Sequence, residues 1–146
     1  MEIRAAQRGE WLVCAEIYVR SGRAAFTWVD PGLFQVANII AWAEQGEELY
    51  LAFDRGRPVA MMSFWRPDSF IHNLFVDPAA QGRGAGTALL EFAYAIAPRP
   101  VTLKCDPLNA PTLRFYRRRG MAEIERGVGP HDDRPYVLFR QPERPA

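Results

Sequence analysis

The chain has 146 residues, 49% of them hydrophobic, and 18 Lys+Arg stand against 17 Asp+Glu for a formal charge of +1. That length supports one domain whose core needs no disulfide or metal, and the balanced charge gives no broad electrostatic footprint for nucleic acid or an anionic membrane. Cys14 and Cys105 show no metal-type spacing, and no apolar run approaches the length of a membrane span.

In chain order, Ile3 to Ala5 reads as a short strand. Glu10 to Ser21 predicts a helix with Trp11, Leu12, Ala15, Tyr18 and Val19 on a wide apolar face, ended by Gly22. Asp30-Pro31 opens a second helix as N-cap and first residue, running through Phe34, Ala37, Ile40 and Ala41 to Gly46. Leu49 to Phe53 and Val59 to Trp65 read as a hairpin around Asp54-Arg-Gly-Arg-Pro58, and Phe70 to Val76 as the next strand. A helix then places Ala85, Ala88, Leu89, Phe92, Ala93 and Ile96 on one face and stops at Pro98. Strand Val101 to Cys105, a helix after Asn109 and two strands near Met121 to Arg126 and Tyr136 to Arg140 complete the order βααβββαβαββ. This is an α+β fold in a single domain over residues 1 to 141, with a frayed tail from Pro142. Met1-Glu-Ile-Arg lacks the basic-then-apolar pattern of a secretory leader, so the expectation is reduced thiols and a cytoplasmic location.

The most informative stretch is residues 74 to 86, Leu-Phe-Val-Asp-Pro-Ala-Ala-Gln-Gly-Arg-Gly-Ala-Gly. An apolar strand ends at Asp77-Pro78 and a glycine-rich turn leads straight into a helix. Glycines at 82, 84 and 86 let a ligand approach the backbone, and the first-turn N–H groups carry partial positive charge. A phosphate fits such a site. No Gly-x-x-x-x-Gly-Lys-Ser/Thr run exists, and the dinucleotide pattern fails because Thr87 stands where its third glycine belongs.

Residues 109 to 120, Asn-Ala-Pro-Thr-Leu-Arg-Phe-Tyr-Arg-Arg-Arg-Gly, read as one complete short helix. Asn109 caps it, Pro111 fits the first turn, Arg117 to Arg119 suit the negative end of the dipole, and Gly120 stops it. Its inner face carries Leu113 and Tyr116. On the residues alone, Tyr116 reads first as a core aromatic.

Gln81-x-x-Gly84-x-Gly86 after Leu74-Phe-Val-Asp-Pro78 resembles the pyrophosphate loop of the GCN5-related N-acetyltransferase (GNAT) family, and Asn109 followed by Phe115-Tyr116 and Gly120 is similar to its second CoA-contacting motif. The two lie at the family's usual separation, and the element order also agrees, so the resemblance covers nearly the whole chain. It implies a central mixed, mostly antiparallel sheet of about seven strands flanked by four helices, and an acetyl-CoA-dependent N-acetyltransferase. The implied cofactor contacts are Leu74, Phe75 and Val76, with free backbone groups on a bulged strand, together with Gln81, Gly82, Arg83, Gly84, Ala85, Gly86, Thr87, Asn109 and Tyr116. Under the resemblance, Tyr116 protonates the departing thiolate.

For the general base, His72 has suitable chemistry. The alternatives are a hydrogen-bonded histidine beneath the sheet, or deprotonation by water. Alternation puts Asn73 on the opposite face unless a bulge resets the register. The family's acceptor pocket maps onto Phe26, Trp28, Trp65, His72, Asn73 and the Gly129-Pro-His-Asp-Asp133 turn. These aromatics favour a primary amine of a small molecule; a protein or peptide amine, or a non-catalytic acyl-CoA-binding module, are the alternatives. The expected partners include neither nucleic acid, membrane nor metal, and a homodimer is left open.

Overall fold

Residues 49 to 52 and 59 to 64 are apolar on both sides of the chain but for Ser63, and the structure buries them on both faces of a sheet. Tyr50, Ala52, Ala60, Met62 and Phe64 enter one core, and Leu49, Leu51 and Met61 another. The structure, a computed structural model, describes residues 1–130 and 133–143. Seven strands, β1 (Glu2–Ala5), β2 (Glu48–Asp54), β3 (Arg57–Trp65), β4 (Phe70–Val76), β5 (Thr102–Cys105), β6 (Ala122–Val128) and β7 (Pro135–Arg140), form one sheet in the order β1-β2-β3-β4-β5-β7-β6. All neighbours are antiparallel except β4 and β5. Arg55 and Gly56, both at positive φ, close the β2–β3 hairpin.

Four helices cover the sheet: α1 (Trp11–Ala25), α2 (Val36–Glu44), α3 (Ala85–Ile96) and α4 (Ala110–Arg118). Helices α1 and α2 pack on one face, and α3 and α4 on the other. On α3, Leu89 and Leu90 are fully buried, each contributing about 2 kcal/mol. The observed element order is the expected βααβββαβαββ. Among the described residues no helix is long and apolar enough to cross a membrane.

Two expectations fail locally. Gly22 does not end α1; it lies buried inside the helix, where an added Cβ would sit 2.2 Å from Phe34 Cδ1. Its glycine marks a close approach, not a stop. Asp30 does cap, accepting from Gly32 N at 2.8 Å, but the capped element is one short 3-10 turn over Pro31–Leu33. The chain then extends through Phe34 and Gln35, and α2 starts only at Val36. That break changes the helix phase, so Ile39 and Ala43 face inward while Ala37 and Ala41 are exposed.

Candidate active site

Strands β4 and β5 pair only at Phe70–Thr102 and Ile71–Leu103, then part. Opposite them, Ser63 faces Asn73 but Phe64 faces Ile71, so His72 is the extra residue of a bulge. The bulge resets the alternation. Asn73 hydrogen-bonds Ser63 Oγ at 2.8 Å, and the His72 ring lies 4.4 Å from that of Trp42 on α2, so both residues face the α1/α2 side. A cleft of ≈ 560 Å³ opens between the diverging strands.

At the exit of β4, Arg20 pairs with Asp77 at 2.6 Å, and Asp77 accepts from Ala79 N. The Val76 carbonyl, expected to be free, accepts from Ser21 Oγ and Gln81 Nε2 at 3.0 and 2.9 Å, so Gln81 anchors the loop to the strand. Gly82 and Gly84 have φ of 79° and 85°, and among the described residues a Cβ on either would meet no atom within 4 Å beyond its chain neighbours. The first helical bond of α3 runs from Ala88 N to Gly84 O, which leaves the N–H groups of Ala85, Gly86 and Thr87 outside the helical ladder. Gly86 is a glycine for another reason: its Cβ would stand 3.1 Å from Phe115 Cζ on α4. Arg119 joins the two helices, donating to Thr87 Oγ1 at 2.7 Å and to Phe115 O, with its guanidinium 3.7 Å from the Phe115 ring centroid.

On α4, the Asn109 side chain caps Thr112 N, and Leu113 and Tyr116 turn inward. Tyr116 packs against Phe115 and Phe139 at 5.1 and 5.7 Å. Burial raises its phenol well above the ordinary value, so the hydroxyl is protonated. Among the described residues nothing hydrogen-bonds that hydroxyl, and Tyr116 lines the cleft. Across the cleft His72 Nδ1 lies 2.7 Å from Glu47 Oε1. Tyr18, Phe26, Phe34 and Phe75 form an aromatic wall on the α1/α2 side, with centroids 5.4 to 6.4 Å apart. Asp106 accepts from Trp28 Nε1 and Arg134 Nη2 near the same wall.

Residues 11–121 match the acetyltransferase (GNAT) family. The chain belongs to the GNAT family. It is 35% identical over 122 residues, 73% of its length, to a mycothiol acetyltransferase of Gordonia bronchialis, and it spans 39% of that relative. The apo-form of Escherichia coli YjaB superposes with a TM-score of 0.76 at 22% identity, with 95% of each chain covered. Salmonella typhimurium yncA, solved with its cofactor acetyl-CoA, gives 0.66 at 20% identity, covering 100% of this chain and 96% of its own. These structural likenesses show the fold.

Within this GNAT fold the cleft gathers Leu74, Phe75 and Val76 of β4, Gln81, Gly82, Gly84, Ala85, Gly86 and Thr87 of the loop, and Asn109, Tyr116, His72, Asn73 and Phe26. Three expected residues lie outside its lining. Arg83 pairs with Asp54 at 3.2 Å. Trp28 is 40% exposed at the rim, held by Asp106. Trp65 stands opposite Phe70, where β4 is still paired with β5. His131 and Asp132 of the last turn lie outside the described residues. The sequence reading missed Glu47, Asp106, Tyr18 and the individual place of Arg119. The contacts of Glu47 and Asp106 span 25 and 78 residues, and no local pattern marks them.

Proposed function

We propose that the chain is an acetyl-CoA-dependent N-acetyltransferase acting on a primary amine of a small molecule with an apolar or aromatic body. One observation carries the reading: the glycine loop, the stretch of β4 that has parted from β5, and Tyr116, from three separate elements, line one cleft. The residues fit the donor, since unclaimed N–H groups and open space at Gly82 and Gly84 suit a pyrophosphate, with Arg119 beside them.

Acetyl-CoA supplies a thioester carbonyl and a thiol leaving group. His72 takes a proton from the acceptor nitrogen as that nitrogen bonds the acetyl carbon, and Tyr116 gives its proton to the sulfur as the C–S bond breaks. Asn73, held by Ser63, shapes the floor beside His72. Tyr18, Phe26, Phe34 and Phe75 seat the acceptor's apolar part, and holding both reactants in line supplies much of the rate. The aromatic wall favours a compact acceptor over an extended peptide.

The test is release of CoA thiol from acetyl-CoA with phenethylamine, tryptamine, polyamines, free amino acids and short peptides, with products identified by mass spectrometry. Arylalkylamines are expected to turn over fastest. Turnover of peptides alone would move the acceptor to protein amines, and turnover of none would leave a binding module.

A further inference from the structure

Glu47 sits where a carboxylate is costly. It comes directly after Gly46, whose φ of +113° ends α2, and its N–H donates to Trp42 O, so the acid stands at the negative end of the helix dipole. Its side chain is 9% exposed, and Oε2 is buried with no hydrogen-bond partner among the described residues. Oε1 makes the 2.7 Å contact to His72 Nδ1. A buried charge with one partner is poorly explained by stability, whereas such placements are common where a proton is moved.

We infer that Glu47 is the positioning residue of His72, an inference that rests on the acetyl transfer proposed for this cleft. Nδ1–H donates to Glu47 Oε1, which fixes the tautomer and leaves the lone pair on Nε2. The amine proton moves to Nε2, and Nδ1 keeps its own proton in the bond to Glu47. The ring is held by Glu47 Oε1 at 2.7 Å from Nδ1 and by the tilted Trp42 ring, whose centroid lies 4.4 Å away. The β4 bulge is what sets Asn73 on the same side as His72.

The chain has two histidines, so in a His131→Gln background the ring nitrogens of His72 are read alone by ¹⁵N NMR at alkaline pH. The Nδ1–H form is expected with Glu47, and also with Glu47→Gln, whose carbonyl still accepts; Glu47→Ala is expected to shift the ring to Nε2–H. With acetyl-CoA and phenethylamine, Glu47→Ala is expected to lower kcat by about tenfold to a hundredfold, the lower part of what a general base contributes, with KM changed by less than about twofold. Glu47→Gln keeps the volume and falls between. An Nε2–H ring in the unsubstituted site, or a Glu47→Ala protein that keeps tautomer and kcat, overturns the inference. Absence of wild-type turnover would instead strike the acetyl transfer, and the tautomer would still decide the pairing.

Discussion

Tyr116→Phe is expected to move stability and activity in opposite directions. The hydroxyl makes no hydrogen bond among the described residues, and the ring is 5% exposed. Deleting it therefore breaks no bond and removes a desolvated polar group. A buried unpaired group costs about 1–3 kcal/mol, less where it touches a cleft, so the phenylalanine protein is expected to be up to about 1 kcal/mol more stable, a rise in Tm of up to about 4 °C. The same change takes away the proton donor to the leaving sulfur. General-acid assistance is worth ~10²–10⁴-fold, and with water as a substitute donor at least a tenfold loss is expected, in kcat and kcat/KM together. Burial keeps the folded phenol protonated past pH 10, so the ratio of wild type to variant is expected to be flat from about pH 7 to 9. Thermal melts, acetyl-CoA titration and thiol release decide the matter. Wild-type turnover with normal acetyl-CoA affinity would make Tyr116 a packing residue, and a drop of several degrees in Tm would reveal a structural bond to its hydroxyl.

Gly84→Ala meets no steric obstacle in the protein, so its cost is the left-handed backbone at φ 85°, about 1 kcal/mol or a few degrees of Tm, while acetyl-CoA affinity by calorimetry is expected to fall at least about tenfold; loss of stability alone would make the glycine purely structural. Cys14 and Cys105 are 0% and 6% exposed, and burial pushes both thiols up to about 12. Neither is expected to react with Ellman's reagent at about pH 8 in the native protein. Because the folded state holds protons that the unfolded chain releases near pH 9, the stability these thiols contribute is present below pH 9 and lost as pH rises towards 12, measurable as falling urea midpoints; rapid labelling at about pH 8 would contradict this.

The elements written in local chemistry were legible. Asn109 caps α4, Gly120 at φ 77° ends it, and the loop from Gln81 to Gly86 opens α3, all from residues within a few positions of one another. Gly22 was misread because a helix stop and a close tertiary approach use the same residue, and only Phe34, twelve positions on, distinguishes them. The bulge at His72 depends on register against β3, which alternation along β4 does not encode. Trp65 illustrates the same limit: an aromatic at a strand end carries no mark of which neighbour it meets. Glu47 was hidden because a glutamate between a helix and a strand is ordinarily solvated.

The parallel join between β4 and β5 has a consequence for how the sheet holds together. Two residue pairs make up the ladder between the ribbon β1 to β4 and the ribbon β5, β7 and β6, and one core under α3 and α4 spans both. The pairs β2–β3, β3–β4 and β6–β7 close over short connections, whereas the seam closes only after the whole of α3 has crossed over. This short ladder lies where the cleft begins, with its Ile71 and Leu103 among the lining residues. A ligand lying along β4 touches both ribbons, so occupancy and mechanical continuity of the sheet draw on the same contacts.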